Sequence, residues 1–249
     1  MVVSDMEVWE MSEERIQVWH FIRADHRTGK GLLKVEVGQT LTVEGPLELY
    51  KHGLHGSRKA LDALYYAPGP VACKAEIWGD IIEGVDQLCG RYRKCLAMID
   101  ATYILHEFGC RCPERALTRE REMGREPDPR SWAAIEAKRK WLRGEIGDTE
   151  LAAARAEAID AVWDAAWAGA GAAARAAAWA AAEAAAWTEA RAAAKAAAWA
   201  AAGAAAWAAT GDADWDADWD AAWDATWAAQ NAKLEEMLND LLKEVEGEE

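Results

Sequence analysis

From Leu151 to Gln230 the chain is mostly alanine, broken on nearly every fourth position by another residue. The row reads Leu151, Arg155, Ile159, Trp163, Trp167, Gly171, Arg175, Trp179, Glu183, Trp187, Arg191, Lys195, Trp199, Gly203, Trp207, Gly211, Trp215, Trp219, Trp223 and Trp227. Alanine is the strongest helix former, so helix is expected throughout. A step of four overshoots one helical turn by about 40°. Between Trp163 and Trp227 the row would precess by about 640° on one straight helix, so the tryptophans cannot form one straight stripe.

The chain is therefore expected to fold back into several antiparallel helices, with breaks at Gly169-Ala-Gly171 and Thr210-Gly-Asp212. Gly203 alone costs about 1 kcal/mol against alanine and can be bridged. Alanine lets helix axes approach closely, and the tryptophans are expected to fill the gaps as core. A buried indole removes roughly 200 Å² from water, worth about 3–5 kcal/mol on truncation. The interaction residues expected on this basis are Trp163, Trp167, Trp179, Trp187, Trp199, Trp207, Trp215, Trp219, Trp223 and Trp227. Ahead of them, Asp128-Pro129 reads as N-cap and first position of a helix. Behind them, Leu234, Leu238, Leu241 and Val245 read as a coiled-coil seam.

Charge is uneven. Residues 1–129 hold 17 basic against 21 acidic side chains, residues 130–210 nine of each, and residues 211–249 two against 13. Most of the net −15 thus belongs to an acidic C-terminal stretch, which argues against nucleic acid or an anionic membrane as partner. The longest uncharged run, Ala196 to Gly211, is shorter and less apolar than the roughly 20 residues a membrane span needs. Five cysteines, an odd number confined to the first half, do not form a disulfide framework. The start of the chain lacks a signal-peptide pattern, and a cytoplasmic protein is expected.

Residues 1–125 read as a small α+β domain and residues 126–249 as an all-α Ala/Trp-rich domain with an acidic final helix. In the first, Ile16 to Ile22 reads as a strand. Leu33 to Val37 and Leu41 to Val43 read as a hairpin about Gly38-Gln39, and Leu47 to Tyr50 as a third run. Gly53-Leu-His-Gly56 reads as a turn, Ser57 as the N-cap of a short helix, and Val71 to Trp78 as a strand. From Val85 to Gly109 the spacing of Leu88, Tyr92, Cys95, Leu96 and Ile99 predicts helix, with a further helix capped at Cys112-Pro113.

Four stretches stand out: Glu48-Leu-Tyr-Lys-His-Gly-Leu-His-Gly-Ser57, Ala63-Leu-Tyr-Tyr-Ala-Pro-Gly69, Val71-Ala-Cys-Lys-Ala-Glu-Ile-Trp-Gly79 and Ala101-Thr-Tyr-Ile-Leu-His-Glu-Phe108. They resemble an uncharacterised family found in bacteriophages and in viral sequences from environmental samples. Its members pair such a domain with an Ala/Trp-rich tail, so the resemblance covers nearly the whole chain. It implies a phage-encoded protein working in the host cytoplasm. No activity comes with it.

The candidate chemistry centres on His52 and His55, which flank Gly53-Leu54. A glycine-bearing turn that presents imidazole can bind a ligand or move a proton near neutrality. The candidate binding residues are Tyr50, His52, His55, Ser57, Tyr65 and Arg91, with Tyr66 beside them. Adding Glu83 gives a nucleotide pocket of the ADP-ribosyltransferase sort, with His55 and Glu83 as its catalytic pair, a comparison resting on fold-level analogy alone. The plainer reading is a turn whose histidine caps a neighbouring backbone group, with no catalytic residue and no cofactor. His106, Cys110 and Cys112 are an alternative zinc set, but neither paired CxxC nor a finger spacing accompanies them. Asp212, Asp214, Asp216, Asp218 and Asp220 alternate as in a calcium loop, yet Ala217 and Trp223 stand where its glycine and glutamate belong.

The leading expectation is a phage structural or interaction protein whose helical tail packs as a scaffold and self-assembles, since a surface built from one repeat can meet a second copy in register. The partner is then a second copy or a host protein. Two alternatives stand beside it: a nucleotide-binding protein or enzyme with its site around His55, and an acidic decoy that blocks a host nucleic-acid-binding protein.

Overall fold

The computed structural model describes residues 14–29, 33–167, 172–186, 189–210 and 217–246. It is an α+β region followed by an all-α region. The strands are β1 (Ile16–Ile22), β2 (Thr40–Thr42), β3 (Leu54–Gly56), β4 (Val71–Trp78), β5 (Ile82–Glu83), β6 (Leu88–Gly90) and β7 (Tyr92–Asp100), with the short helix α1 (Ala60–Tyr65) between β3 and β4. The helices that follow are α2 (Thr102–Glu122), α3 (Pro129–Leu142), α4 (Asp148–Trp167), α5 (Ala172–Ala186), α6 (Ala190–Thr210) and α7 (Ala217–Glu246).

Two compact units are present: Met1–Ala101 together with Leu238–Glu249, and Thr102–Met237. The division falls at Ala101, short of the boundary expected near residue 125. The reason is that α2 begins directly after β7 and packs along α6, α5 and α3.

In the first unit a four-stranded antiparallel sheet runs in the order β1-β4-β7-β2, and a three-stranded one in the order β3-β6-β5. An isolated bridge between Trp19 and Ser57 ties β1 to the end of β3. Gly56 makes that approach possible, because a Cβ there would lie 2.6 Å from Val18 Cγ2. The core gathers Ile22, Val35, Leu41, Leu54, Val71, Cys73 and Cys95. All five cysteines are free and buried.

Several local expectations need correction. Residues 88–100, expected as helix, are strands, with β7 paired to β4 on one side and β2 on the other. Pairing on both flanks outweighed a spacing that fits helix equally well. The 33–43 hairpin is replaced by β2 alone, paired to β7, while Leu47 to Tyr50 forms a turn closed by a Glu48–His52 bridge. Gly53 to Gly56 is not only a turn, since Leu54–Gly56 is β3. Lys59, not Ser57, precedes α1, and Pro113 lies inside α2.

In the second unit Asp128 caps α3 as expected, accepting from Arg130 N at 2.9 Å. Helix α5 packs on α4, α6, α2 and α3. The expected break at 169–171 lies outside the described residues, as do residues 211–216. Gly203 is bridged within α6. An additional break, not anticipated, separates α5 from α6.

The expected tryptophan core is overturned. The interior is alanine: Ala177, Ala181, Ala193, Ala194, Ala197 and Ala198 are all at most 1% exposed. Larger side chains of α2 and α3, such as Leu117 and Ile135, complete it. Helices α2 and α6 approach so closely that a Cβ on Gly109 would stand 3.2 Å from the carbonyl carbon of Ala193. No indole fits such a crossing, so the rings are displaced to the outer faces. Trp163, Trp167, Trp179 and Trp199 are exposed, and Trp207, Trp219, Trp223 and Trp227 half-buried. Trp187 and Trp215 lie outside the described residues.

Along α7 the buried positions are Gln230, Asn231, Leu234, Leu238 and Leu242, while Val245 is exposed. The expected seam through Leu241 and Val245 gives way to Leu234, Leu238 and Leu242, three buried leucines four residues apart. Among the described residues no helix is long and apolar enough to cross a membrane.

Candidate functional site

A cavity of about 620 Å³ opens in the first unit, walled by β1, β3, β7 and the segment leading from β2 to β3. Of the expected binding residues it is lined by Tyr50, His52, His55 and Ser57. His55 lies on β3, and its Nε2 accepts from the backbone N–H of Tyr50 at 2.9 Å. That bond holds Tyr50 at φ 68°, a left-handed conformation that a residue with a Cβ rarely adopts. His52 Nε2 lies 2.7 Å from the carbonyl oxygen of Glu44. Both histidines thus meet backbone groups, as the plainer reading expected, and both also face the cavity.

Tyr65 and Arg91 stand elsewhere. Tyr65 is exposed and packs edge-on against Tyr66, with centroids 5.2 Å apart. Arg91 is held by Asp80 at 2.8 Å and by the carbonyl of Val43 at 3.1 Å. Glu83 is exposed and gripped by Arg58 at 2.7 and 3.3 Å, which holds its carboxyl below the usual range. It does not line the cavity that His55 lines, so the suggested catalytic pair is not brought together.

Three residues that spacing alone did not single out complete the wall: His20 on β1, Gln87 before β6, and Arg93 on β7. Arg93 Nη1 donates to the carbonyl oxygen of His55 at 2.7 Å. Its Nη2, together with His20 Nε2 and Ser57 Oγ, is buried with no hydrogen-bond partner. Arg93 and Ser57 are only 4% and 1% exposed. Burial pushes the Arg93 guanidinium down to about 10. Burial first, then the nearby Arg93 and His55, drives His20 well below the ordinary imidazole value, so His20 is neutral at pH 7.

Among the described residues no carboxylate pairs with Arg93, and Glu44 is the one acid of the lining against Lys51, Arg93 and three histidines. A buried cation without a counter-ion is costly, and so is each unmet buried donor. Such a wall is complementary to an anion. The signal for it is a charged residue on an inward strand position, which a helical periodicity over 88–100 masks.

At the exposed rim, Tyr50 and Tyr66 donate their hydroxyls to the two oxygens of Asp86, at 3.1 and 2.7 Å. Their rings lie 5.9 Å apart, tilted by 34°. The shared carboxylate raises the Tyr50 phenol, and burial followed by Asp86 raises that of Tyr66.

The zinc alternative is not supported. Among the described residues no group of three or more metal-capable side chains converges. His106 and Cys110 share a helical face, but Cys112 lies six residues on, about 240° round the axis. His106 instead meets Trp141 edge-on at 5.4 Å. Of the alternating aspartates, Asp218 and Asp220 are exposed in the first turn of α7, where they favour the positive end of the helix dipole. Asp212, Asp214 and Asp216 lie outside the described residues.

In the second unit six tryptophans (Trp163, Trp179, Trp199, Trp207, Trp219 and Trp223) contribute to an apolar cleft of about 510 Å³. Trp207 meets Trp219 edge-on at 4.8 Å, and Trp199 meets Trp223 at 4.9 Å. Six of the ten expected interaction residues thus line one cleft; Trp167 and Trp227 do not line it, and Trp187 and Trp215 lie outside the described residues.

Comparison with protein-family models, with curated proteins and with solved structures finds no match to this chain.

Proposed function

We propose that the first unit is a binding module for a small anionic ligand, with Arg93, His20 and Ser57 as the anion-holding set. The observation behind this reading is that all three have a buried polar atom without a partner at the wall of one cavity. The oxygens of a phosphate, sulfate or carboxylate are suited to such groups, since Arg offers a planar fork and Ser a rotatable hydroxyl. The test is thermal unfolding of the full chain in sulfate or phosphate against chloride at matched ionic strength. A ligand that binds only the folded state raises the midpoint. The rise should vanish in Arg93→Met. An equal midpoint in all three salts removes the reading.

A second reading concerns the helices, favoured by the exposure of Trp163 and Trp167, 62% and 89%. An apolar face of this kind is usually a contact surface. On this reading the Ala/Trp region is a scaffold through which copies of a phage-encoded protein associate in the host cytoplasm. Sedimentation velocity across a concentration series tests it. Association that weakens in Trp163→Gln/Trp167→Gln supports it; a monomer at every concentration counts against it.

A further inference from the structure

We infer that the ligand of the cavity is a nucleoside phosphate, its phosphate on Arg93, His20 and Ser57 and its base on Tyr50 and Tyr66. This rests on the anion-binding reading above and narrows it to one chemical class. The cavity has two chemically distinct ends. At the buried end stand the cation, the neutral imidazole and the hydroxyl, all with unmet hydrogen-bonding atoms. At the rim stand two aromatic rings with 52% and 38% of their surface open.

The rings are fixed in place before any ligand arrives. Each hydroxyl is tied to its own oxygen of Asp86, and the Tyr50 backbone is fixed by His55. A surface already ordered loses little freedom on binding, which is how a rigid aromatic wall favours a flat ligand. The two rings lie 5.9 Å apart with a tilt of 34°, and Tyr65 braces Tyr66 edge-on at 5.2 Å. The volume, about 620 Å³, exceeds what a bare tetrahedral oxyanion fills and lies within the range of small-molecule sites.

Further polar side chains line the cavity beside its apolar ones. Gln87 is buried at 7% exposure and brings an amide that both donates and accepts. His52 and Thr42 line the same cavity. An anion at one end, a flat ring at the other and a hydroxyl-bearing linker between them is the layout of a nucleotide. Base stacking on an aromatic side chain is sequence-tolerant, since every base has a π-face, so the class is assigned without choosing among bases.

The test is calorimetric titration of the full chain with inorganic phosphate, ribose 5-phosphate and the four nucleoside monophosphates. At least one nucleotide is expected to bind about tenfold or more tightly than ribose 5-phosphate, the gain stacking supplies. Tyr66→Ala should abolish that gain and leave the ribose 5-phosphate affinity unchanged, while Tyr66→Phe, which keeps the ring, should retain most of it. If phosphate and ribose 5-phosphate bind but no nucleotide gains, the nucleotide assignment is overturned and the anion site stands. If none of these ligands binds, both fall.

Discussion

Arg93 reaches from the middle of the larger sheet to the carbonyl oxygen of His55 on the smaller one, a 2.7 Å bond that fixes the guanidinium at the wall of the cavity. One nitrogen is spent on that bond and another, Nη2, is left without a partner. Replacing Arg93 by Met removes a buried, uncompensated charge and leaves one carbonyl unmet. The two effects oppose each other, so stability without ligand should stay within about 1 kcal/mol of the parent. Chemical denaturation checks this. A loss of several kcal/mol would mean that Arg93 serves the fold and not a ligand.

His20 gives the same site a pH signature. Its folded-state value is lowered by burial, then by Arg93 and His55. The unfolded chain therefore binds more protons than the folded one below about pH 6.5, and stability rises with pH in that window before levelling off above it. Sulfate, which stays charged throughout, should flatten the rise by favouring imidazolium. Equilibrium unfolding from about pH 5 to 8 in wild type and His20→Asn measures it, the variant being expected to lose the slope. Glu114, held low by Arg139, contributes only in more acid solution, so the two windows separate.

Gly109 and Ala193 set the spacing of α2 against α6. A methyl at position 109 would meet backbone atoms at 3.2 and 3.3 Å, and backbone cannot swing aside as a side chain can. Gly109→Ala gains about 1 kcal/mol of helix propensity, against roughly 1–3 kcal/mol for overpacking. A lowered melting temperature is the expected net result. A raised one would show that the crossing is looser than described.

The indoles displaced from the interior still contribute through one another. Trp207 and Trp219 meet edge-on at 4.8 Å, a geometry worth about 0.5–1.5 kcal/mol beyond burial. A double-mutant cycle with Trp207→Leu and Trp219→Leu should return a coupling of that size. Additive losses would mean that the rings are only neighbours.

Lys138 is fully buried with its ammonium 4.0 Å from the Trp141 ring, and burial pushes it down to about 8. The unfolded chain then holds more protons between that value and the ordinary 10.5, so stability should rise with pH across this window. Lys138→Met should lose the alkaline rise. Unfolding at about pH 7 and 10 decides it, and a variant that keeps the rise would contradict the account.

The helical half was legible because alanine propensity and capping are local. Asp128-Pro129 opened a helix where its chemistry demands. What spacing could not reveal was which member of the repeat goes inside. Close backbone approach at Gly109 selects the small residue, and that depends on a helix whose packing partner lies more than eighty positions away. In the first half, β1 and β4 were legible from β-branched and aromatic content. Residues 88–100 were not, since Tyr92, Cys95, Leu96 and Ile99 suit either period until β2 and β4 flank them. That same misreading concealed Arg93, whereas Tyr50, His52, His55 and Ser57 were found through the chemistry of one short glycine-bearing segment.

The central claim, that the buried wall of Arg93, His20 and Ser57 holds an anion, is tested most directly by nitrogen-15 spectra of the arginine side chains during titration with inorganic phosphate. The Arg93 guanidinium should shift in a saturable way and the exposed arginines hardly at all, with the response absent in Arg93→Met. An Arg93 signal that stays put while phosphate is raised to excess would contradict the account.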